Sequence, residues 1–338
     1  MKKNLFVFII IVFITLLSND LFARYYIPNK GLAYNFSRKV LLVELMEENK
    51  VTLMKMGDDE ELIANYKAYV QYFNNTLKKI FPKYWNINDS IRFVTYSEKS
   101  ELMKGDVNKY AVFTSFWNKV YWQPKSQTTK QQDGGTVKYD VFTFSAKSGN
   151  KSVLSISLPS DELSEGDFVL VCKIFNAYFR YAKNGLKQQD VCDQNKNIET
   201  LENKTLLITR QGFDGDKEKL EKKYGTKFDL TDAFLADETI KEEKPGYAVV
   251  ILLWSDLAKE WYYTAIDLSN GDILAVDEVD GPQFEILKGY ENKEAVEGAS
   301  SSLSYRNKLN IEVYQIANFK NKIVQRKCSK AGDNQEMY

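Results

Sequence analysis

The stretch that most constrains the fold runs from Gly246 to Gly281 and predicts three consecutive β-strands. Its first part, Tyr247–Trp254, is an uninterrupted apolar run of strand length, as expected for a buried strand. Trp261–Asp267 and Asp272–Asp277 follow, and the turn Ser269-Asn270-Gly271 between them predicts a β-hairpin. The stretch therefore predicts a central strand with a hairpin beside it.

An earlier stretch, Lys109–Leu158, has the same order of predicted elements. Tyr110-Ala111-Val112 with Trp117 matches Tyr247-Ala248-Val249 with Trp254, at the same internal spacing. Each strand is followed by a loop and a hairpin with a Gly/Asn turn, and each is preceded by a strand, a helix and a second strand. This agreement of order predicts an internal duplication, although the first helices of the two halves differ in length.

The repeated order predicts an α/β fold of two tandem modules. A strand–helix–strand unit implies a parallel strand pair with a right-handed crossover, and the hairpin adds antiparallel strands at one edge. Each module is then a mixed sheet of about five strands with helices on both faces. The predicted organisation is a signal peptide at 1–23, a first module at 24–185, a polar linker at 186–203, a second module at 204–326 and a frayed tail at 327–338.

Two long helices are expected in the first module. A cap at Asp58 or Asp59 precedes a stripe of apolar residues at helical spacing, which Pro82 is expected to end. The stripe consists of Leu62, Tyr66, Tyr69, Val70, Phe73, Leu77 and Ile80. A second helix, ending near Gly185, is apolar over much of its girth and is expected to be buried. The aromatic faces of both helices are more simply explained as core than as a cofactor site.

The amino terminus predicts export. Lys2 and Lys3 precede an apolar run from Leu5 to Leu17, and Leu21-Phe22-Ala23 is a passable cleavage site. The run is too short for a typical membrane span, although an uncleaved anchor stays open. We expect a periplasmic or extracellular protein with no membrane span after cleavage.

Composition excludes several kinds of chemistry. The sequence has no histidine, so Ser-His-Asp and Cys-His catalysis and imidazole zinc sites are excluded within the chain. Without residues 1–23 the balance is 44 basic to 45 acidic residues, which does not favour nucleic acid as a partner. Cys172 is expected to be buried, whereas Cys192 and Cys328 lie in polar segments and could pair. No residue pattern indicates a metal or a cofactor.

Several core and turn segments resemble those of known proteins. They are Leu41–Leu45, Thr205–Thr209, the two Tyr-Ala-Val strands and Leu268–Val276. They resemble tandem α/β domains of uncharacterised exported bacterial proteins and, more distantly, the small α/β domain at the start of the Tol–Pal propeller protein. The resemblance implies a fold and a setting in the cell envelope. It carries no catalytic residue to this chain.

Four tryptophans are the main candidates for a binding site. In each half one Trp ends the central strand and another lies near the next element: Trp117 and Trp122, then Trp254 and Trp261. Tryptophan at a strand end can form a stacking platform for a sugar or a hot spot for a protein partner. The alternative is that each pair packs a loop onto its sheet.

An acidic cluster is the second candidate. Asp277, Glu278 and Asp280 follow a strand, and carboxylate pairs can perform acid–base chemistry without histidine. The alternative is a solvated strand end. Asp214-Gly215-Asp216 superficially matches a calcium loop, but its Gly is misplaced and helix capping explains it better.

These observations leave three functional hypotheses. The first is an exported, non-enzymatic binding or interaction protein of the bacterial envelope, whose partner is a protein or a glycan. The second is a carboxylate-dependent glycan hydrolase that uses Asp277, Glu278 and Asp280. The third is a structural component of an envelope assembly.

Overall fold

We describe the fold from a computed structural model of the chain. The structure describes residues 27–122, 137–159, 163–186, 191, 194–225, 227–256, 259–279 and 310–321. The predicted signal peptide and tail, together with Cys192 and Cys328, lie outside these ranges.

The N-terminal half, residues 27–186, begins with a short helix and ends with a long buried one. Its strands are β1 (Val40–Glu44), β2 (Ile91–Val94), β3 (Tyr110–Trp122), β4 (Val137–Ser148) and β5 (Lys151–Pro159). Its helices are α1 (Lys30–Ser37), α2 (Lys50–Met56), α3 (Glu60–Tyr84), α4 (Tyr96–Gly105) and α5 (Glu165–Lys183).

The C-terminal half, residues 191–321, repeats the order of strands with shorter helices. Its strands are β6 (Thr205–Thr209), β7 (Phe213–Asp214), β8 (Phe228–Thr231), β9 (Tyr247–Ser255), β10 (Glu260–Asp267), β11 (Ile273–Glu278) and β12 (Ile311–Glu312). Its helices are α6 (Gln194–Glu202), α7 (Lys217–Tyr224), α8 (Ala233–Lys241) and α9 (Val313–Asn318).

Side-chain caps fix where the helices begin. Asp59 accepts a hydrogen bond from the backbone N–H of Leu62, so α3 begins where its sequence predicts. Asp216 caps α7 in the same way, which confirms capping as the role of this residue. Helix α4 begins at Tyr96, because Thr95 forms a reciprocal capping box with Glu98.

The α/β class with a mixed sheet is confirmed, but two separate sheets are not. Ten strands form one sheet, whose main path runs β11-β10-β9-β5-β4-β3-β1-β2, while β6 pairs with β8 and β9. Strand β9 therefore has two neighbours on one edge: β6 beside Tyr247–Val249 and β5 beside Trp254. The halves lie side by side in one sheet because β5 joins β9 where β6 has ended.

The two halves agree in strand order and register. The order β2-β1-β3-β4-β5 corresponds to β8-β6-β9-β10-β11. Parallel pairing begins at Val40 with Tyr110 in one half and at Thr205 with Tyr247 in the other. Both hairpins have a register shift at the corresponding place, after Ala146 and after Ala265. This agreement supports the predicted duplication, whose evolutionary origin stays a prediction.

Helix α5 lies in a core to which both halves contribute. Of its 19 residues, 14 are buried, which agrees with its predominantly apolar sequence. The Asn176 side chain donates to the carbonyl of Tyr84 at the end of α3. At the other end, the Asp237 side chain on α8 accepts from the backbone N–H of Gly166. The helix thus connects the two halves instead of belonging to the first alone. Cys172 on this helix is fully buried with a free thiol, and burial raises its pKa.

The segment interpreted as a linker, 186–203, contains helix α6. Ile198 and Leu201 are buried, and Asn197 donates to the carbonyl of Ile273 on β11. Because the segment is mostly polar, its two buried apolar residues did not indicate a packed helix. No helix within the described ranges is long and apolar enough to span a membrane.

Candidate functional site

The clearest surface feature is a length of β3 that pairs with β4 on one side and with no described strand on the other. We call it the open edge and define it as Ser115–Tyr121. Strand β1 pairs with β3 only from Tyr110 to Phe113. Strand β4 follows the other side of β3 as far as Trp122. Beyond Phe113, no described strand pairs with the β1 side of β3. The sequence predicted that β3 would end at Trp117, so most of this edge was not anticipated.

The backbone groups that point out of the open edge can be identified from the neighbouring pairing. The carbonyl of Lys109 accepts from the N–H of Val40 on β1, at 3.2 Å between nitrogen and oxygen. Since backbone groups alternate sides along a strand, every second residue from Lys109 onward points the same way. Ser115, Trp117, Lys119 and Tyr121 therefore present their N–H and C=O groups at the open edge, where the N–H of Lys119 donates to Asn118 Oδ1 at 2.8 Å.

Three large aromatic side chains are exposed along this edge. Phe116 is 41 % exposed, Trp117 51 % and Tyr121 60 %. Trp117 is partly supported: its ring packs edge-on against Phe142 at 4.9 Å and lies 6.3 Å from the ring of Tyr69 on α3. Such a cluster on a folded chain is typical of an interaction surface, because exposed aromatic area gains much free energy when it is covered.

Tyr69 extends this aromatic surface onto the helix layer. Burial, and secondarily the nearby Tyr72, raise the pKa of its hydroxyl from 10.0 to about 12. The hydroxyl oxygen is buried and has no hydrogen-bond partner among the described residues. The Tyr69 ring therefore contributes to this surface mainly as an apolar group.

The C-terminal half has the same edge, and there it is occupied. Strand β6 pairs with β9 from Tyr247 to Val249, just as β1 pairs with the start of β3. Farther along, β5 runs antiparallel to β9 and pairs Ser157 with Trp254. Trp254, which corresponds to Trp117, is only 5 % exposed. The difference between the two tryptophans thus follows the presence of a strand beside one of them.

The other three candidate tryptophans are brought together in the interior. Trp122, Trp254 and Trp261 are all buried in one apolar cluster with Tyr139. The rings of Trp254 and Trp261 are 5.3 Å apart, and Trp122 Nε1 donates to Glu260 Oε2 at 2.6 Å. In this arrangement they pack the end of β3 and the start of β4 against β9 and β10. Only Trp117 of the four is accessible, and a binding role for any of them stays a prediction.

The acidic candidates do not converge on one face. Asp277 and Glu278 are consecutive on β11, so their side chains point to opposite sides of the sheet. Asp277 is buried and accepts a hydrogen bond from Asn318 on α9 at 3.1 Å. Asp280 lies outside the described residues. The two described carboxylates therefore do not flank a common substrate position.

No group of three or more potential metal ligands occurs within the part of the chain that the structure describes. The chemistry at the open edge is accordingly that of backbone hydrogen bonds, aromatic rings and one charged pair. Lys119 lies 3.7 Å from Asp140 on β4, and both side chains are more than half exposed. Phe116 and Tyr121 were missed as site residues. The β-favouring residues Val120, Tyr121 and Trp122, with no Gly or Pro before Pro124, are the signal that could have extended the strand.

Comparisons with family models, with curated proteins and with solved structures find no match to this chain.

Proposed function

We propose that this protein is a non-enzymatic interaction protein whose partner adds an extended strand to the open edge of β3. The observation that carries the proposal is the difference in exposure between Trp117 and Trp254, 51 % against 5 %. At the corresponding edge of β9, the chain's own β5 pairs Ser157 with Trp254, whose ring also packs against Trp261. A strand beside Ser115–Tyr121 would cover Trp117 in the same way.

The chemistry of the edge supports this mode of binding. Backbone groups of alternate residues supply hydrogen bonds, while the exposed aromatic rings supply apolar area and select the partner's side chains. Unpaired edges are also aggregation hazards, which proteins counter with charged side chains such as Lys119. Because this edge combines one lysine with three exposed aromatic rings, binding explains it better than protection alone.

We further propose that the interaction takes place outside the cytoplasm, in the bacterial envelope or beyond. The supporting feature is the sequence of residues 1–23. The near-neutral balance of charges favours a protein partner over nucleic acid.

The proposal is tested by capture from a bacterial envelope fraction on the immobilised chain without residues 1–23. We expect Lys119→Pro to lose the captured protein, because proline removes an N–H that points out of the open edge. Lys119→Ala keeps that N–H and is expected to retain capture, which separates the backbone from the side chain. Trp117→Ala is expected to weaken capture strongly.

A matched control is Phe234→Ala, which removes a 75 % exposed aromatic ring from α8, away from the edge. Circular dichroism confirms that each variant is folded. If Lys119→Pro and Trp117→Ala retain the same proteins as Phe234→Ala, the open edge is not the binding site.

A further inference from the structure

We infer that the strand added to the open edge is β3 of a second copy of this chain, antiparallel to the first and related to it by a two-fold axis at Asn118. The inference rests on the proposed function, because it names the partner of the same edge. A closed two-fold dimer is the commonest arrangement of identical chains, and its interface must be complementary to itself.

The register follows from the backbone groups that point outward. An axis at Asn118 pairs Trp117 with Lys119 of the second copy and Ser115 with Tyr121 of the second copy. All four residues have outward N–H and C=O groups, so each pair can exchange two hydrogen bonds once the N–H of Lys119 is released from Asn118 Oδ1. The whole open edge is then used, and the last residue of β3 in the second copy, Trp122, falls opposite Thr114, one residue short of Phe113, where β1 already pairs.

Neighbouring registers fit less well. An axis at Lys119 would place the two lysines directly opposite each other, and like charges in that position are destabilising. An axis at Trp117 would place Tyr121 of the second copy opposite Phe113, which β1 occupies. The axis at Asn118 avoids both conflicts.

The side chains are complementary in the same register. Lys119 is the one charged residue of the open edge, and each copy would place it against the exposed ring of Trp117, a favourable cation–π pair. On the other face of the sheet, the exposed ring of Phe116 lies opposite Val120 of the second copy, whose side chain is buried within its own chain. Asp140 lies beside Lys119 within each copy and offsets its charge. The edge therefore carries no net repulsion against itself.

The alternative strand for this role is β11 of another copy, since β11 corresponds to β5. Its outer edge is already engaged within the chain: Asn197 on α6 donates to the carbonyl of Ile273 at 3.4 Å. The carbonyl of Asp272 faces β10, so that of Ile273 points outward. If copies were joined in a row, with β11 of one beside β3 of the next, the contact between Asn197 and Ile273 would have to break. Pairing β3 with β3 requires no such displacement, because the open edge of the second copy is exposed.

The test is a disulfide cross-link in the chain without residues 1–23 and with Cys192→Ser and Cys328→Ser. Asn118→Cys places its thiol next to the symmetry axis. There the two Cα atoms of a non-hydrogen-bonded antiparallel pair are about 4.5 Å apart. This separation lies within the range of about 4.4–6.8 Å that a disulfide requires. The matched control is Ser148→Cys, a half-buried position on β4 at the opposite end of the β3–β4 pairing, beside Ala111.

We expect copper-phenanthroline to convert Asn118→Cys to a covalent dimer about tenfold faster than Ser148→Cys, because association raises the local thiol concentration. Adding Lys119→Pro is expected to abolish that difference. Light scattering of the chain with Asn118 intact is expected to show masses up to a dimer and no larger.

Equal cross-linking rates for Asn118→Cys and Ser148→Cys would overturn the two-fold pairing. A series of masses beyond the dimer would overturn it in favour of copies joined in a row. If the chain is monomeric but still captures a different protein in a manner that requires an open edge, the self-pairing fails and the proposed function stands. If neither self-association nor capture depends on Lys119→Pro, both fail.

Discussion

Trp117 and Trp254 occupy corresponding positions on β3 and β9 but have different surroundings. Trp254 lies in the shared cluster with Trp261, whereas Trp117 packs on Phe142 and Tyr69 with half of its surface open. Their sequence contexts are similar, so local pattern could not distinguish them. The distinction depends on the other half of the chain, which brings β5 beside β9 and places Trp122 and Tyr139 in the cluster that contains Trp254.

The first prediction compares the two tryptophans. Trp254→Ala is expected to lower the free energy of unfolding by about 3–5 kcal/mol, because it leaves a cavity in a closed cluster. Trp117→Ala is expected to cost about 1–2 kcal/mol, since much of its ring is already hydrated. Urea denaturation of both variants measures the difference. Equal losses would mean that Trp117 is buried in solution, by a partner or by the chain itself.

A second prediction concerns alkaline pH. Burial raises the pKa of Tyr69 to about 12 and also raises the pKa values of Tyr181 and Tyr224. The unfolded chain loses these protons near pH 10, while the folded chain retains them, so protons bind more tightly to the folded state. The stabilisation is complete below about pH 10 and is lost as the pH rises toward about 12.

Urea midpoints measured from about pH 8 to about pH 11 check this expectation. Tyr69→Phe is the matched variant, because it removes the ionisable hydroxyl and leaves the ring. We expect it to reduce the alkaline loss and to change stability little near neutral pH, since this hydroxyl has no hydrogen-bond partner among the described residues. Identical pH profiles for Tyr69→Phe and the unsubstituted chain would contradict the raised pKa of Tyr69.

At the scale of elements, sequence periodicity located the helices and strands better than it located the surfaces they bury. The apolar stripe of α3 continues from Leu62 to Ile80, yet no residue of the helix before Val70 is buried. Periodicity reports which face of a helix is apolar, and it cannot report where the neighbouring sheet ends. For the same reason, the sequence placed β6 at its observed bounds but ended β3 at Trp117.

The third prediction concerns Gly271 in the hairpin turn between β10 and β11. The sequence predicted this turn and its glycine, but it did not predict that the turn packs against α5. Gly271 has a φ of +78°, and a Cβ there would lie 2.2 Å from the backbone oxygen of Lys173 on α5. Gly271→Ala is therefore expected to cost about 3 kcal/mol or more, because the turn must separate from the helix.

Gly57→Ala is the matched control for Gly271→Ala. Gly57 also has a positive φ, +60°, but no atom lies within 4 Å of the added methyl group. Its expected cost is about 1–2 kcal/mol, from backbone strain alone. Chemical denaturation of the two variants separates strain from collision. Similar losses would show that contact of the turn with α5 contributes little.

At the scale of the whole molecule, the arrangement of the two halves is the feature that the sequence did not reveal. The repeated order of elements suggested tandem modules with separate sheets, and the polarity of 186–203 suggested a linker. In the structure, β5 joins β9, and one apolar core contains α5 with residues of both halves, including Phe73 and Leu253. Contacts between residues so distant in sequence leave no local pattern, because any apolar strand can pair with several others.

The shared core leads to the last prediction, that the two halves unfold together. Separating them would expose both sides of α5, including Phe168 and Phe175, which are now almost fully buried. The apolar area exposed would make a state with one half folded unfavourable. Calorimetry of the chain without residues 1–23 is therefore expected to show a single transition whose calorimetric and van't Hoff enthalpies agree. Phe73→Ala in one half and Leu253→Ala in the other should lower the midpoint of that same transition. Two transitions, each sensitive to only one of these substitutions, would show that the halves are independent despite their common sheet.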